Sequence, residues 1–387
     1  MRKPKLLMVS GSSPPIICGI GDYTANLLHT YHYLRPDWNW TWLSRRSRWF
    51  NSPISSYKGL RMIRSTHTWN PFGTEVTTAL IRWLKPDLIH IQDQIHSYFE
   101  TDAAVQIAKA AKCPVVVTLH EFHHELSSVQ HTIQLVKAAN IVIANDARTS
   151  DRCREYTGRI PDLQGWSPAN VLPEPETVVK SITGLVTTFG LISPIKQLPI
   201  VFEALQFLRQ QGLNLRWRII GPFHPETDSY HSELAERFNV SWVEFTGEFN
   251  NLNDKTLRTL LAQTDIMILP FADGASPRRT SLQAAWAFGL PVITTLPSAK
   301  EPEIQNGVNC LLVEESTSQA WGTAIKSVFQ NRQLREQLAI GSHSIAKHFS
   351  WERLANLHLE IFQNLLNEES VVECNKSEKS SNWTISN

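Results

Sequence analysis

Short apolar runs rich in β-branched residues alternate with helical patterns along most of the chain. In the first half, "KLLMVS", "DLIHIQ", "PVVVTL" and "IVIAN" each precede a helical or turn-like segment. These runs are apolar throughout, which is typical of strands in a parallel sheet that helices cover on both faces. After a proline-rich stretch, "GRIPDLQGWSPANVLPEPETVVKS", the alternation begins again. The pattern therefore predicts an α/β fold with two successive Rossmann-like domains.

The proline-rich stretch also suggests where the domains end. We expect an N-terminal domain over residues 1–177 and a C-terminal domain over residues 178–347. The helical pattern of "SWERLANLHLEIFQNLLN" predicts a last helix over residues 348–367. The tail over residues 368–387 is polar and rich in serine, so we expect it to be disordered.

Composition limits the classes of partner. The 387-residue chain has a net charge of +1, so its overall charge predicts no nucleic-acid partner. No apolar run approaches the roughly 18 residues of a membrane-spanning helix, and the basic start "MRKPKLLMVSGSSPP" reads as a buried strand and not as a signal peptide. The five cysteines are scattered without metal-ligand spacing, which suits a reducing compartment. We therefore expect a cytoplasmic protein.

A zinc-peptidase pattern, H-E-x-x-H, occurs at His120, Glu121 and His124. Its mechanism requires a helix, on which both histidines face one metal ion. Here the β-branched run "PVVVTL" ends directly at His120, so the pattern falls where a strand enters a loop. Ligands bind at the carboxyl ends of parallel strands. His120 and Glu121 are thus candidates for substrate contact, and a zinc site or a hydrogen-bonded structural histidine remain the alternatives.

Two further segments are candidates for binding phosphate. A Gly-rich turn with Gly19, Gly21 and Asp22 lies between the first strand and the first helix, where a ligand can approach the backbone. It does not complete G-x-G-x-x-G, so it only weakly favours a dinucleotide. Lys196 follows the first strand of the second domain, where a cation beside a helix start suits a diphosphate. The alternatives are a tight turn without ligand and a surface lysine.

The stretch "ILPFADGASPRRTSLQAAWAFGLPVITT" carries the densest set of polar candidates. A strand ends at Pro270, a loop with paired arginines follows, and "SLQAAWAFG" is apolar all round, which predicts a buried helix. Thr280 or Ser281 is expected to cap that helix, and the arginines form a candidate anion clamp. The candidates for substrate contact in this stretch are Asp273, Ser276, Arg278, Arg279, Thr280 and Ser281.

The segment over residues 43–69 suggests a surface partner. No acidic residue occurs between Asp37 and Glu75, while arginines, lysine and tryptophans alternate there. Such a segment could lie on an anionic membrane surface. The alternating "WNWTWL" is equally consistent with a strand that has one buried face.

Several of these pieces together resemble a known family. "PPIICGIGDYTANLL", "FGLISPIKQ", "FTGEF", and "GLPVITT" followed by "PEIQNGVNCLLV" are similar to retaining glycosyltransferases of the two-Rossmann, B-type fold. The resemblance extends from about Leu6 to the last helix. It implies two domains that face a cleft, with the C-terminal helix crossing back to the N-terminal domain. It also implies a nucleotide-sugar donor on the C-terminal domain and an acceptor on the N-terminal domain.

Four positions match functional residues of that family. Gly19 and Gly21 correspond to the turn that approaches the donor phosphates. His120 corresponds to the histidine that contacts the donor sugar, and Lys196 to the lysine that neutralises the diphosphate.

Three other positions depart from the family. Leu191 stands where the family has an arginine, and Ser276 and Ala284 stand where it has two glutamates. We hypothesise that Asp273 replaces the first glutamate and that Arg278 and Arg279 supply the missing positive charge.

The sequence therefore predicts a glycosyltransferase that acts with retention, with His120 and Asp273 as catalytic residues. No metal and no cofactor are predicted. The expected partners are a nucleotide-sugar donor, a carbohydrate or lipid-linked acceptor and an anionic membrane surface. The alternatives are a non-catalytic nucleotide-sugar or sugar binding protein on the same fold, a zinc hydrolase through His120, Glu121 and His124, and a sugar epimerase.

Overall fold

The structure is a computed structural model. It describes residues 2–16, 18–46, 52–57, 59–123, 125–174, 179–247 and 255–381, with side chains described up to residue 367. The chain divides into two compact units: unit 1 holds residues 1–165 and 351–387, and unit 2 holds residues 166–350. The boundary predicted between residues 177 and 178 falls within residues 175–178, which lie outside the described residues.

Unit 1 is built on an eight-stranded sheet. Its strands are β1 (Lys5–Ser10), β2 (Asn39–Arg45), β3 (Ile54–Tyr57), β4 (Leu60–Thr66), β5 (Leu88–Asp93), β6 (Val115–Leu119), β7 (Ile141–Ala144) and β8 (Leu163–Gln164). Their order is β3-β4-β2-β1-β5-β6-β7-β8, and only the pair of β3 and β4 is antiparallel. The order reverses between β1 and β5, and ligands of open parallel sheets bind at such a reversal.

Five helices of unit 1 alternate with its strands. They are α1 (Gly19–Leu34), α2 (Pro71–Leu84), α3 (Ala103–Ala110), α4 (Leu126–Ala138) and α5 (Ala147–Thr157). Asn70 caps α2 by accepting a hydrogen bond from the Gly73 backbone N–H, and Asp146 does the same for α5. These caps fix where each chain segment leaves the sheet edge and turns into a helix.

Unit 2 is a six-stranded, wholly parallel sheet with helices between its strands. The strands are β9 (Leu185–Phe189), β10 (Arg216–Ile220), β11 (Val243–Phe245), β12 (Ile266–Leu269), β13 (Val292–Thr295) and β14 (Leu311–Val313). The helices are α6 (Leu198–Gln210), α7 (Ser229–Arg237), α8 (Lys255–Ala262), α9 (Thr280–Ala287), α10 (Ser318–Gln330) and α11 (Arg332–Ala346). The order β11-β10-β9-β12-β13-β14 reverses between β9 and β12. The predicted pair of Rossmann-like folds is confirmed.

The last helix, α12 (Trp351–Ser381), belongs to unit 1 although it follows unit 2 in the chain. It packs on α1, where the Tyr31 hydroxyl lies 2.5 Å from His358 Nδ1 and the Tyr31 ring meets Phe362 edge to face. The predicted return of this helix to the N-terminal unit is confirmed. The helix extends past the predicted end at residue 367 and includes residues 368–381 of the tail predicted to be disordered, while residues 382–387 lie outside the described residues.

The tryptophans that suggested a membrane surface are buried where the structure describes them. Trp40 and Trp42 point from β2 into unit 1, and Trp38 and Trp69 are also buried. These four tryptophans therefore do not form a membrane surface, and the alternative of a strand with a buried face accounts for Trp40 and Trp42. Residues 47–51 and 58, including Arg48, Trp49 and Lys58, lie outside the described residues. No helix in the described part of the chain is long and apolar enough to cross a membrane.

Candidate functional site

The centre of unit 2's candidate site is a buried lysine. Lys196 ends a short 3₁₀ turn, Pro194–Lys196, just before α6, and its side chain points toward the carboxyl ends of β9 and β12. Its Nζ lies 3.4 Å from the Phe189 carbonyl oxygen, 3.4 Å from Ser281 Oγ and 4.3 Å from the centre of the Phe271 ring. Such a lysine has few fixed partners for its charge. It is therefore suited to an anion that arrives from outside.

The surroundings of Lys196 make its protonated form costly. Burial, followed by the positive charge of Arg279, lowers the pKa of Lys196 to about 7, although Asp273 opposes the fall. A lysine with this pKa changes its charge near neutral pH. A bound diphosphate would favour the charged form and raise the pKa again.

The arginine pair lies beside this lysine and is tied to one carboxylate. Arg278 Nη2 donates to Asp273 Oδ2 over 3.1 Å, and Arg279 pairs with the other carboxylate oxygen. The guanidinium of Arg279 also lies 4.8 Å from the centre of the Phe271 ring. The structure thus brings Lys196, Asp273 and both arginines together. Asp273, proposed to replace a missing glutamate, thus offsets part of the charge of the two arginines proposed to replace a missing arginine.

Helix α9 carries the rest of the predicted set. Arg279, and neither Thr280 nor Ser281, occupies the N-cap position, and no side chain caps the helix there. The capping prediction is therefore wrong, since Thr280 and Ser281 lie within the first turn and Ser281 faces Lys196. The prediction that this helix is buried is confirmed.

The positions where the family has carboxylates contain small side chains. Ser276 is buried, and its Oγ has no hydrogen-bond partner among the described residues. Ala284 is buried within α9, and Leu191 is 65% exposed in the loop after β9. Asp273 supplies a carboxylate whose charge acts on Lys196.

The Gly-rich turn of unit 1 contains two glycines with different surroundings. A Cβ on Gly21 would lie 3.3 Å from the Ser13 Cα, so this glycine lets α1 pack closely on the turn after β1. A Cβ on Gly19 would meet nothing within 4 Å. The space that a ligand could use lies at Gly19. Asp22 stands in the first turn of α1, where burial raises its pKa to about 6.

His120 lies at the end of β6, and the segment after it is not helical. Its ring meets Tyr23 of α1 edge to face, with 4.6 Å between the ring centres. Glu121 is partly exposed, with one carboxylate oxygen 3.6 Å from His123 Nε2. The helical placement that a zinc peptidase requires is therefore not found for residues 120–123, because α4 begins only at Leu126. His124 lies outside the described residues, and no group of metal-ligating side chains occurs among those described.

Sequence reasoning missed three side chains that shape these two clusters. Phe271 lies against both Lys196 and Arg279, and Gln92 and Asn145 contact the ring of His120. Each of them lies near the carboxyl end of a strand, which was the available signal. In the sequence, Phe271 resembles any apolar core residue, and Gln92 and Asn145 resemble other polar residues at strand ends. Nothing in the sequence therefore marked these three residues as part of a site.

Comparison with known proteins agrees with this architecture. Residues 183–331 match the family described as glycosyl transferases group 1. The chain is 23% identical over 256 residues to a D-inositol 3-phosphate glycosyltransferase of Nocardioides sp., which covers 59% of this chain and 55% of that protein. It is 28% identical over 138 residues to the lipopolysaccharide core biosynthesis glycosyltransferase LpsE of Rhizobium meliloti, which covers 35% of this chain and 38% of that protein.

Solved structures extend the likeness to nearly the whole chain. A sucrose-phosphate synthase from Thermosynechococcus elongatus is 14% identical with a TM-score of 0.76, covering 95% of this chain and all of that one. Anabaena HepE, solved in complex with UDP and glucose, is 17% identical with a TM-score of 0.71, covering 93% of this chain and all of that one. At these identities the likeness concerns the fold.

The fold is that of the two-Rossmann glycosyltransferases. Within it, residues 183–331 match the glycosyl transferases group 1 family, and the predicted resemblance to glycosyltransferases of the two-Rossmann, B-type fold is confirmed. The chain spans about half the length of the first curated relative and little more than a third of the second.

Proposed function

We propose that this protein transfers a sugar from a nucleotide-sugar donor to an acceptor. The observation that carries the proposal is the cluster around Lys196, at the strand reversal of a group 1 domain. Lys196 lies there with Arg278, Arg279 and the carboxylate of Asp273, so three basic side chains meet in one partly buried place. Guanidinium and ammonium groups held in this way suit the diphosphate of a nucleotide sugar.

The same cluster suggests how transfer would proceed. As the bond to the sugar breaks, negative charge grows on the departing diphosphate. Fixed cations stabilise that charge more in the transition state than in the ground state, which lowers the barrier. The absence of carboxylates at Ser276 and Ala284 leaves this electrostatic contribution as the main one. We propose that the configuration at the sugar is retained, as in the family that the sequence resembles.

The arginines test the donor site directly. Arg279→Ala is expected to weaken binding of UDP, or of whichever nucleotide binds, by about tenfold to a hundredfold, since a hydrogen bond to a charged group contributes roughly 1.5–3 kcal/mol. Arg332→Ala is the matched control, because Arg332 pairs with Glu336 on the exposed surface of α11. Isothermal titration calorimetry measures both. Equal affinities in the two variants would remove the arginines from the proposal.

Asp273 has two candidate roles that one variant separates. If it contacts the sugar, Asp273→Asn lowers turnover while nucleotide diphosphate binding is kept or improved, because the arginines are released. If it only neutralises the arginines, turnover is kept and binding tightens. Mass-spectrometric detection of transferred or hydrolysed sugar measures turnover. Calorimetry with UDP, GDP, ADP and dTDP measures nucleotide diphosphate binding.

A second candidate function is binding of a nucleotide sugar without turnover. The specific observation in its favour is that Ser276 and Ala284 replace the family's two glutamates. Saturable donor binding with no product, tested against a panel of sugars and of lipid extracts as acceptors, would favour this function over transfer.

We also propose that the acceptor is presented at an anionic membrane surface on the cytoplasmic side, with α2 as the contact. On the outer face of α2, Phe72 is 74% and Trp83 is 70% exposed, with Val76 between them. The exposed cations Arg82 and Lys85 follow at the end of the helix. The helix turns its threonines, Thr74, Thr77 and Thr78, toward the core instead. An exposed apolar face bordered by cations suits a headgroup region that contains anionic lipid.

Co-sedimentation with vesicles tests this contact. The protein is expected to pellet with vesicles that contain phosphatidylglycerol and not with pure phosphatidylcholine. Trp83→Ala should reduce pelleting, while Phe207→Ala, which removes a similarly exposed aromatic ring from α6 of unit 2, should not. If both variants pellet with the vesicles as well as the wild type does, α2 is excluded as the membrane contact.

A further inference from the structure

The ring of His120 is held by two amide side chains from the neighbouring strands. His120 Nε2 lies 2.8 Å from Gln92 Oε1, and Nδ1 lies 2.8 Å from Asn145 Nδ2. Gln92 belongs to β5 and Asn145 directly follows β7, so the three residues come from the carboxyl ends of three adjacent strands. All three are buried, with His120 only 7% exposed. Both ring nitrogens are therefore engaged inside unit 1.

The two amides impose opposite roles on the two nitrogens. An amide nitrogen can only donate, so Nδ1 of His120 must accept the bond from Asn145. An amide oxygen can only accept, so Nε2 must carry the proton that it donates to Gln92. This pair of contacts selects one tautomer of the neutral ring. It opposes the doubly protonated ring, because a proton on Nδ1 would face the amide donor of Asn145.

The contacts beyond Gln92 support its orientation. Gln92 Nε2 lies 3.0 Å from His90 Nε2 and 3.4 Å from Met8 Sδ, and both positions suit a donor. His90 is fully buried, and burial, followed by the charges of His358 and His120, keeps its pKa well below 6.5. His90 is thus neutral, and its Nε2 also lies 2.8 Å from the Thr118 hydroxyl, which can donate or accept. The bonds from Asn145 through His120 to Gln92 run in one direction, and each polarises the next.

We propose that Gln92 and Asn145 are positioning residues that hold His120 as a neutral imidazole with its one proton on Nε2. His120 then contributes to the site through the fixed place of its ring, against Tyr23, and not by giving or taking a proton. The inference rests on the proposed function only in treating His120 as part of a sugar site. It changes the role that the sequence predicts for His120 from catalytic to structural support of the bound sugar.

Nitrogen NMR of the histidine rings tests the tautomer without any assay of activity. In protein labelled with ¹⁵N-histidine, the His120 ring is expected to show an unprotonated Nδ1 and a protonated Nε2 at about neutral pH. The His120 ring signals are identified as those that are missing from the spectrum of His120→Gln. A protonated Nδ1 in the wild type, in either the other tautomer or the charged ring, would overturn the proposal.

An isosteric substitution tests whether Asn145 sets the tautomer of His120. Asn145→Asp offers only acceptors to Nδ1, so Nδ1 is expected to become protonated while the fold is kept. An unchanged ring spectrum in a folded Asn145→Asp protein would show that Asn145 does not set the tautomer. Should that variant fail to fold, Gln92→Glu keeps an acceptor at Nε2 and leaves the Asn145 donor at Nδ1, so Nδ1 is expected to stay unprotonated. A protonated Nδ1 in Gln92→Glu would show that Asn145 does not set the tautomer.

Kinetics separates positioning from general support of the fold. Gln92→Ala is expected to lower kcat in the wild-type background and to have no further effect in a His120→Ala background, because residues that act through one another are not additive. Gln134→Ala, which removes a surface amide that bonds Lys109, is the control. Additive losses would contradict the positioning role. A wild-type protein that transfers no sugar would refute the proposed function, and the ring spectra would still decide the tautomer.

Discussion

Replacement of Lys196 by methionine tests the electrostatics of the site, because this lysine is buried and close to its titration point. The pKa of Lys196 falls from an ordinary 10.5 to about 7. At about 1.4 kcal/mol for each pKa unit, this corresponds to roughly 5 kcal/mol of lost preference for the charged form. A diphosphate that lies against Nζ restores that preference. Donor binding should therefore take up a proton near neutral pH.

The expected result is an affinity that depends on pH. The affinity of the wild type for a nucleotide sugar should be constant below about pH 7 and should fall about tenfold for each pH unit above it. A nucleotide sugar is the right ligand, because its diphosphate diester has no ionisation of its own in this range. Calorimetry in buffers of different ionisation enthalpy counts the protons that are taken up.

The variants decide whether Lys196 is the group that titrates. Lys196→Met should bind weakly with a flat pH profile, while Lys347→Met, which changes an exposed lysine, should keep the wild-type profile. A wild-type affinity that does not change between about pH 6 and 9, or a slope that survives in Lys196→Met, would refute the reasoning.

The same pKa predicts an effect on stability with a definite sign. Between about pH 7 and 10.5 the unfolded chain binds more protons at this lysine than the folded protein does, so the contribution of Lys196 to the free energy of unfolding rises with pH. Lys196→Met removes the buried amine and should stabilise the unliganded protein at pH 7, by at most roughly 5 kcal/mol. Urea unfolding measures this change, and a destabilised variant would contradict the account.

Three further predictions follow from other residues. His131 is buried between Asp93 and Asp102, and although burial opposes its charge, the two carboxylates raise its pKa above 6.5. His131→Gln should therefore cost about 1–3 kcal/mol in urea unfolding below about pH 6, and less as the pH rises through the raised pKa; a cost that grows with pH would contradict this. Gly21→Ala should lower the melting temperature because its Cβ would crowd the Ser13 backbone, whereas Gly19→Ala should leave it unchanged and weaken donor binding if the phosphate approaches there; the opposite pattern would reverse the roles assigned to the two glycines. Leu191→Arg should tighten nucleotide-sugar binding by less than about threefold if Arg278 and Arg279 already supply the positive charge that the family has at position 191. A gain in affinity of about tenfold or more would show that these two arginines do not supply it.

The repeating strands and helices were predictable because burial on both faces of a parallel sheet leaves a continuous apolar signature. The runs "KLLMVS" and "PVVVTL" became β1 and β6 nearly to the residue. The placement of Lys196 after β9 followed from the same regularity, since side chains that follow adjacent strands meet at one edge of the sheet. The edge strand β3 was not foreseen, because its short polar sequence lacks that signature.

The finer chemistry of the clusters could not be predicted, because it depends on which side chains meet across different strands and loops. Sequence spacing placed Asp273 near Arg278 and Arg279, yet only the structure shows that both arginines share its carboxylate. Likewise, His120 stood out in the sequence as a candidate catalytic residue. Its occupied nitrogens depend on Gln92 and Asn145, which are distant from it in the chain.

The central claim is that unit 2 binds a nucleotide-sugar donor through the cluster around Lys196. Its most direct test is calorimetric titration of the wild type and of Lys196→Met with UDP-glucose, ADP-glucose, GDP-mannose and dTDP-glucose at about pH 6.5. The account predicts that the wild type binds at least one of these donors and that Lys196→Met binds it at least about tenfold more weakly. Binding of none of the four, or equal binding by the variant, would contradict the claim.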